Sequence, residues 1–346
     1  MRAVVFDGIG SVAVSELPDP KLERPDDAIV RITRAGICGS DLHLLHGKAP
    51  MEPGEQLGHE ACGVVEAVGE SVAGVMPGDR VSIAFNVACG RCWFCRHDQT
   101  ALCEDGSIFG YGIFGGGLPG SQAEYLLVPG ADRNLLRIPD AVDDDAALFV
   151  GDALVTGFYG ASLADPAPDR VVAVLGCGPV GLCTIMGLRA LGAGTVYAFD
   201  RDRSRLALAQ GAGATPIHVD ERNPVTVLAD ATDGRGADAV IDAVGHPDAF
   251  QGAVDAVRRG GVVVVVGVYS SEIADVQLGT YWARGLTIRF AGLTPVPPWW
   301  KRALASVERG EVDPRPLISH RLPLDEAPEG YRIFDRREAT KVLLLP

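Results

Sequence analysis

The sequence predicts an α/β protein in two parts, a β-rich domain and a doubly wound parallel sheet of the Rossmann type. Three observations carry this. The chain has 346 residues, about two domains on the usual size scale. Up to about residue 150, short apolar runs alternate with Gly and Pro turns, the texture of short strands. Past Asp152, apolar strands alternate with helical stretches, as a parallel sheet covered on both faces requires.

In chain order, RAVVF, DAIVRITRAGIC, ACGVVEAVG, DRVSIA and AEYLLV read as strands of the first part. Residues 153–163, ALVTGFYGASL, read as a helix. DRVVAVLGCGPVGLCTIMGLRALGAGTVYAFD then reads as strand, glycine turn, long helix and strand, and a further helix precedes the strands ADAVIDAVG and GGVVVVVGV. After about residue 290 come a Pro-rich loop, TPVPPWW, an amphipathic helix, KRALASVERG, and a final strand, KVLLLP, expected to return to the first part. The expected domains are 1–152 completed by 293–346, and 153–292.

A composition of 47% hydrophobic and 22% charged residues is that of a globular protein with a sizeable core. The net charge of -14 argues against nucleic acid and anionic membrane surfaces as partners, because phosphate neutralisation needs a basic face. No run approaches the ~18 apolar residues of a membrane span. The opening MRAVVFDGIGSV lacks the pattern of a signal peptide. Eight cysteines, four of them clustered, suit a reducing compartment, so a cytoplasmic location is expected.

The clustered four are Cys89, Cys92, Cys95 and Cys103, in CGRCWFCRHDQTALC. Four thiolates on short spacers close around one tetrahedral zinc and leave no open position. Buried packing cysteines and an iron–sulfur cluster are the alternatives; no proline follows Cys103, as it would in a ferredoxin-type run.

Gly176-x-Gly178-x-x-Gly181 follows the apolar strand 171–175 and, through Pro179 and Val180, opens a helix. The first glycine makes the tight turn, the second admits a pyrophosphate and the third lets helix and strand pack. The helix N-terminus favours phosphate. Asp200 lies 24 residues after Gly176, where an acid meets the adenosine ribose hydroxyls. Its carboxylate repels a 2′-phosphate, so NAD is expected rather than NADP. Arg201 and Arg203 are the residues that favour the opposite outcome. A packing turn in an α/β protein is the bland alternative.

Cys38 in AGICGSDLH, His59 and Glu60 in LGHEACGVVEAVG, and Asp152 in FVGDALVTGFYGA supply thiolate, imidazole and carboxylate, a suitable mixed set for a catalytic zinc with one open position. Together with GHEACGVVEAVGESV, PGDRV, the four-cysteine run and GCGPVG, all in order, these segments resemble the zinc-dependent medium-chain alcohol dehydrogenases over essentially the whole length. The resemblance implies a GroES-like catalytic domain, a Rossmann cofactor domain, and two zinc ions per subunit. It implies Cys38, His59 and Asp152 as ligands of the catalytic zinc, with Glu60 beside them or ligating transiently. Asp152 departs from the horse-liver type, which has cysteine there. It is similar instead to the Cys/His/Asp set of bacterial secondary alcohol dehydrogenases and of glutathione-independent formaldehyde dehydrogenases, although the long insertion of that last branch is missing.

The resemblance also implies that Ser40 and His43 relay the substrate's proton while hydride passes to NAD. It gives Thr156 a nicotinamide contact, Val244, Val266 and Val268 the cofactor-pocket walls, Arg205 an adenosine-ribose contact, Lys341 a pyrophosphate contact and Phe85 a substrate-pocket wall. Gly39 stands where the family often has a basic residue. Trp299 and Trp300 read as pocket-entrance or exposed loop aromatics. The expected reaction is oxidation of a small alcohol to an aldehyde or ketone, in the cleft between the domains. A polyol, sugar or amino-alcohol dehydrogenase, or a non-catalytic NAD- and zinc-binding protein, are the alternatives. The strand at 286–290, LTIRF, reads as an edge strand, a template for pairing, and in the resembled family it pairs across a two-fold axis. A homo-oligomer is expected, a tetramer ahead of a dimer, and a monomer with its edge blunted by Arg284 and Arg289 is the alternative.

Overall fold

Six parallel strands form a sheet in the order Thr215–His218, Thr195–Asp200, Val171–Leu175, Ala237–Asp242, Val257–Val265 and Thr287–Phe290. The computed structural model describes residues 1–269 and 276–346, and these divide into two compact units, Met1–Val155 with Pro295–Pro346, and Thr156–Thr294. The parallel sheet belongs to the second unit. The chain moves outward from Val171–Leu175 in one direction and then, from Ala237–Asp242, in the other, so the switch point lies between these two strands. In such sheets ligands bind beyond the carboxyl ends at that point.

The central strand is apolar because both faces are covered: Val172, Ala173 and Val174 have no exposed surface. The crossover helices Pro179–Ala190, Pro224–Asp230 and Pro247–Ala256 each place proline at the first helical position, where its missing N–H costs nothing and its fixed φ suits the helix. Thr287–Phe290 ends the sheet and pairs with Val257–Val265 alone among the described strands. Arg289 turns to the Leu163 carbonyl and, at 2.7 Å, to Asp165, while Arg284 turns to the Val254 and Val257 carbonyls.

The first unit is built on an antiparallel core, Ala28–Ile37 against Glu60–Val68, with two register shifts that curve the pair. Arg80–Ile83 and Leu135–Arg137 extend it on one side, Val342–Leu345 and His320–Pro323 on the other, and Tyr125–Val128 also pairs with Ala28–Ile37. Val30, Ile37, Val81, Ile83, Phe109 and Val342 are buried in its core.

One stretch differs from expectation. TPVPPWW is not a loop with exposed aromatics. The helix Val296–Glu308 takes its prolines into the first turn, where they are tolerated, and Trp300 is buried. No helix among the described residues is long and apolar enough to cross a membrane.

Candidate functional site

The ladder between the two long strands sets the first site. Gly36 lies opposite Glu60, so Cys38, just past one strand, and His59, just before the other, come to the same end of the sheet. A Cβ at Gly36 would run into the Glu60 carboxylate, which is why a glycine stands there. The helix Asp144–Val150 carries Asp152 in from the other side. Gly151 has no room for a Cβ against the Ile83 carbonyl, and its own carbonyl accepts the Phe85 N–H at 3.1 Å.

Ligand atoms of Cys38, His59, Glu60 and Asp152 lie within 4.8 Å of one another. His59 Nε2 is 3.3 Å from Asp152 Oδ2, against about 3.4 Å for N and O ligands on a tetrahedral zinc. Cys38 Sγ is 4.0 Å from the same oxygen, against about 3.6 Å on zinc. Burial works against the charged form of His59, yet Asp41 and Asp152 outweigh it and raise its pKa well above the ordinary value. Burial likewise opposes ionisation of Asp152, but its hydrogen bond with His59 prevails and lowers its pKa. The negative charge that draws a proton to the ring favours any cation placed among these atoms. Donor types, spacing and charge therefore fit a zinc ion.

Asp41 is a residue that the sequence reading passed over. Fully buried, it accepts the Cys38 N–H at 3.0 Å through Oδ2 and sits 3.1 Å from His59 Nδ1 through Oδ1. That second contact has ion-pair distance without the alignment of a linear hydrogen bond. A carboxylate behind a ligating histidine fixes the ring's orientation. Gln122 donates to Asp41 at 3.3 Å and to the Gly36 carbonyl at 2.9 Å, and Tyr331 donates to Gln122 at 2.9 Å. Their signals were present in the segments GSDLH and GSQAEY, but a lone acid or amide has no spacing to mark it.

Ser40 precedes the short helix Asp41–Leu45, and its Oγ is 3.2 Å from both Cys38 Sγ and His59 Nε2. Phe85 is buried and stands edge-on to His59 at 6.1 Å between ring centroids. His43 is half-buried, and that burial lowers its pKa. Lys341, of which a phosphate contact is expected, is engaged within the first unit. Its side chain is 1% exposed, its ammonium pairs with Glu60, donates to the Ile37 carbonyl at 3.2 Å and lies 5.9 Å from the Phe149 ring centre. A lysine buried this deeply needs an anionic partner, and Glu60, 2% exposed, is that partner.

The four-cysteine cluster is a separate site. Its sulfurs lie within 4.8 Å of one another, with Cys92 and Cys103 4.0 Å apart, against about 3.8 Å for two thiolates on one zinc. Backbone N–H groups of Cys89, Cys92 and Cys95 point at sulfur atoms of the cluster at 3.2–3.5 Å. Hydrogen bonds from the Glu104 and Cys95 backbone pull the Cys92 thiol down to about 6, while burial pushes Cys95 up to about 12. This set also fits zinc.

In the second unit, Gly176 has φ +91° and meets Val244 where a Cβ would be, Gly181 meets the Gly176 carbonyl, and Gly178 faces open space. The helix Pro179–Ala190 begins with no side-chain cap on its first N–H groups. Asp200 accepts the Cys177 N–H at 2.6 Å and the Asp202 N–H at 2.8 Å. Arg201 pairs with Asp220 at 3.4 Å and Arg203 with Glu221, while the Arg205 backbone N–H donates to Asp202, the residue that caps this helix. Val244 and Val268 are 52% and 58% exposed, uncommon for valines and suited to a pocket rim. Val266, expected at the same pocket, is buried against Gly160, as a strand-end valine is by default. Thr156 accepts from Thr294 at 2.9 Å. Asp242, also missed, is fully buried and holds the loop after its strand by accepting from Val244, Gly245 and the Tyr269 hydroxyl.

Two family models match the chain: the alcohol dehydrogenase GroES-like domain over residues 24–140 and the zinc-binding dehydrogenase over 179–308. An uncharacterized zinc-type alcohol dehydrogenase-like protein of Bacillus subtilis is 39% identical, with all of both chains covered. The solved alcohol dehydrogenase from Thermus sp. ATN1 is 45% identical with a TM-score of 0.96, covering 100% of this chain and 99% of that one. A zinc-binding dehydrogenase from Sinorhizobium meliloti, solved bound to NADP, is 30% identical with a TM-score of 0.87, over 100% and 99% of the chains.

Proposed function

The chain belongs to the zinc-dependent medium-chain alcohol dehydrogenases, and from that premise we propose that it oxidises a small alcohol to an aldehyde or ketone with NAD. The convergence of Cys38, His59 and Asp152, with Asp41 behind the histidine, carries the reading. Those three residues hold the catalytic zinc, and Cys89, Cys92, Cys95 and Cys103 hold a structural one, two per subunit.

Bound zinc supplies a Lewis acid that acidifies a nearby hydroxyl, and NAD supplies the hydride acceptor. The protein's residues do the rest. Ser40 takes the substrate's proton, and His43, half-buried with a lowered pKa, stays neutral and ready to accept it further along. Phe85 closes one side of the substrate's position. Lys341 neutralises Glu60, so that the buried centre does not carry one more negative charge than it needs. In the other unit the Gly176–Gly181 loop and the bare helix N-terminus receive the pyrophosphate. Asp200, held by two backbone N–H groups, takes the adenosine ribose hydroxyls and disfavours a 2′-phosphate. Arg201 and Arg203 are occupied by Asp220 and Glu221, which supports NAD here even though the Sinorhizobium meliloti relative binds NADP. The chain assembles as a homo-oligomer through the open edge strand, a tetramer ahead of a dimer.

The test is cofactor reduction over primary, secondary, aromatic and polyol alcohols, with NAD and NADP in parallel, on protein of measured zinc content. Fully zinc-loaded protein that reduces neither cofactor with any of them would overturn the reading.

A further inference from the structure

Behind His59 lies a line of three polar side chains, Asp41, Gln122 and Tyr331, none more than 2% exposed. Bulk water cannot stand in for a partner that one of them loses. Asp41 Oδ1 is 3.1 Å from His59 Nδ1 without the alignment of a hydrogen bond, so the ring does not itself hold the carboxylate. The grip is on the other oxygen. Oδ2 takes the Cys38 N–H at 3.0 Å and the Gln122 amide at 3.3 Å. A carboxylate held by one donor can pivot about it, and a second donor from another direction stops the pivot. Gln122 is in turn pinned at three points. A Cβ at Gly58, the residue before His59, would run into its side chain, so only a glycine there lets it lie so close. Its Nε2 also donates to the Gly36 carbonyl at 2.9 Å, and its Oε1 accepts from the Tyr331 hydroxyl at 2.9 Å. An amide has one donor end and one acceptor end. Turned over, this one would set its oxygen against the Gly36 carbonyl and the Asp41 carboxylate, which are both acceptors. Tyr331, on the helix Ala327–Asp335, supplies the donor that matches the orientation observed.

We infer that Gln122 and Tyr331 are positioning residues for the Cys38, His59 and Asp152 centre: acting through Asp41, they keep His59 Nε2 turned toward Asp152 and so slow the loss of zinc. The inference rests on the reading of those three residues as zinc ligands. With Asp41 Oδ1 facing Nδ1, the ring keeps its proton there and leaves the Nε2 lone pair for the metal. With the carboxylate free to pivot, the ring loses the group that fixes both its proton and its direction. The effect falls on metal retention, and on turnover only through it.

The test is zinc release from the zinc-loaded protein into excess colour-forming chelator, with Cys38→Ala and Cys89→Ala proteins assigning the phases to the two centres. Tyr331→Phe keeps the buried ring and removes the hydroxyl alone. It should speed release from the His59 centre about three- to tenfold, short of the roughly 10–100-fold expected of Asp41→Asn, which changes the group facing the ligand itself. The four-cysteine phase should stay unchanged. Gln122→Met, similar in size but without the amide, should act in the same direction. In an Asp41→Asn background, Tyr331→Phe should add less than about twofold, because residues that act through one another are not additive. Release at the wild-type rate in both Tyr331→Phe and Gln122→Met overturns the inference and leaves zinc at its ligands. Equal acceleration with and without the Asp41 carboxylate, or at both centres alike, also overturns it, since either reports a general loosening of the fold. A wild type whose zinc all survives Cys38→Ala holds no metal at this centre, which overturns the zinc reading and the inference with it.

Discussion

Lys341→Met should destabilise the first unit far more than an ordinary surface change. Lys341 and Glu60 are 1% and 2% exposed and pair across the sheet, from the head of Val342–Leu345 to the head of Glu60–Val68. Methionine keeps most of the side-chain volume beside Phe149, so what is lost is the charge. Removing one partner of a buried pair leaves the other uncompensated, at about 3–5 kcal/mol. For a unit of roughly 200 residues, each kcal/mol is worth about 2–4 °C, so the melting transition should drop by about 6–20 °C. The double variant Glu60→Gln/Lys341→Met should recover part of that loss, because no lone charge stays buried. Scanning calorimetry of the zinc-loaded wild type and the two variants measures both effects. A Lys341→Met protein that melts within about 2 °C of the wild type, but binds NAD at least tenfold more weakly, would refute the reasoning. Lys341 would then be the cofactor contact that the family resemblance implies.

Asp152→Asn removes a negative ligand and should cut kcat by about 100-fold or more, above the range for residues behind the ligands, with the fold intact by circular dichroism; turnover within about threefold of the wild type would make Asp152 a spectator. Metal analysis after a chelator wash should give about two zinc ions per chain, falling to about one in Cys89→Ala; one ion that survives Cys89→Ala but vanishes in Cys38→Ala would remove the structural site. Asp200→Gly should narrow the preference for NAD over NADP, and a wild-type enzyme that prefers NADP would reverse the role of Asp200. Light scattering at micromolar concentration should report a multiple of the chain mass, and Thr287→Pro, which removes a ladder donor on the edge strand, should lower it; a wild-type mass near 36 kDa would show a monomer.

The two readings that needed only local chemistry were legible from the residues themselves. The four cysteines lie within fifteen residues of sequence, and the glycine loop sits between its own strand and helix, so spacing alone states the geometry. Cys38, His59 and Asp152 are spread over more than a hundred residues. Nothing in their spacing brings them together; the resemblance implied it, and strand register with two crowded glycines accomplishes it. Asp41 was invisible because an acid after a serine usually caps a helix or faces water. The pairing of Lys341 with Glu60 was not legible in the sequence, because 281 residues separate them and only the packed sheet brings them together. Val266, expected at the cofactor pocket, and Trp300, expected at a pocket entrance or in an exposed loop, are both buried by tertiary packing.

The two units differ in how they are laid out along the gene. The cofactor unit is one continuous stretch, Thr156–Thr294, whereas the first unit needs two distant stretches of chain. During synthesis, the strand Glu60–Val68 emerges early, yet the strand that lies on the other side of Ala28–Ile37, Val342–Leu345, is made some 270 residues later. Until then one edge of that sheet is open and Glu60 waits without its lysine. Such long-range pairings form late, and exposed edges are the sites of misassembly. The cofactor unit, complete in sequence well before that moment, is thus able to fold while the first unit is still a partial sheet. A newly made chain is therefore expected to acquire its dinucleotide-binding half ahead of its metal-binding half, and chaperone dependence is expected to centre on the interval between the two.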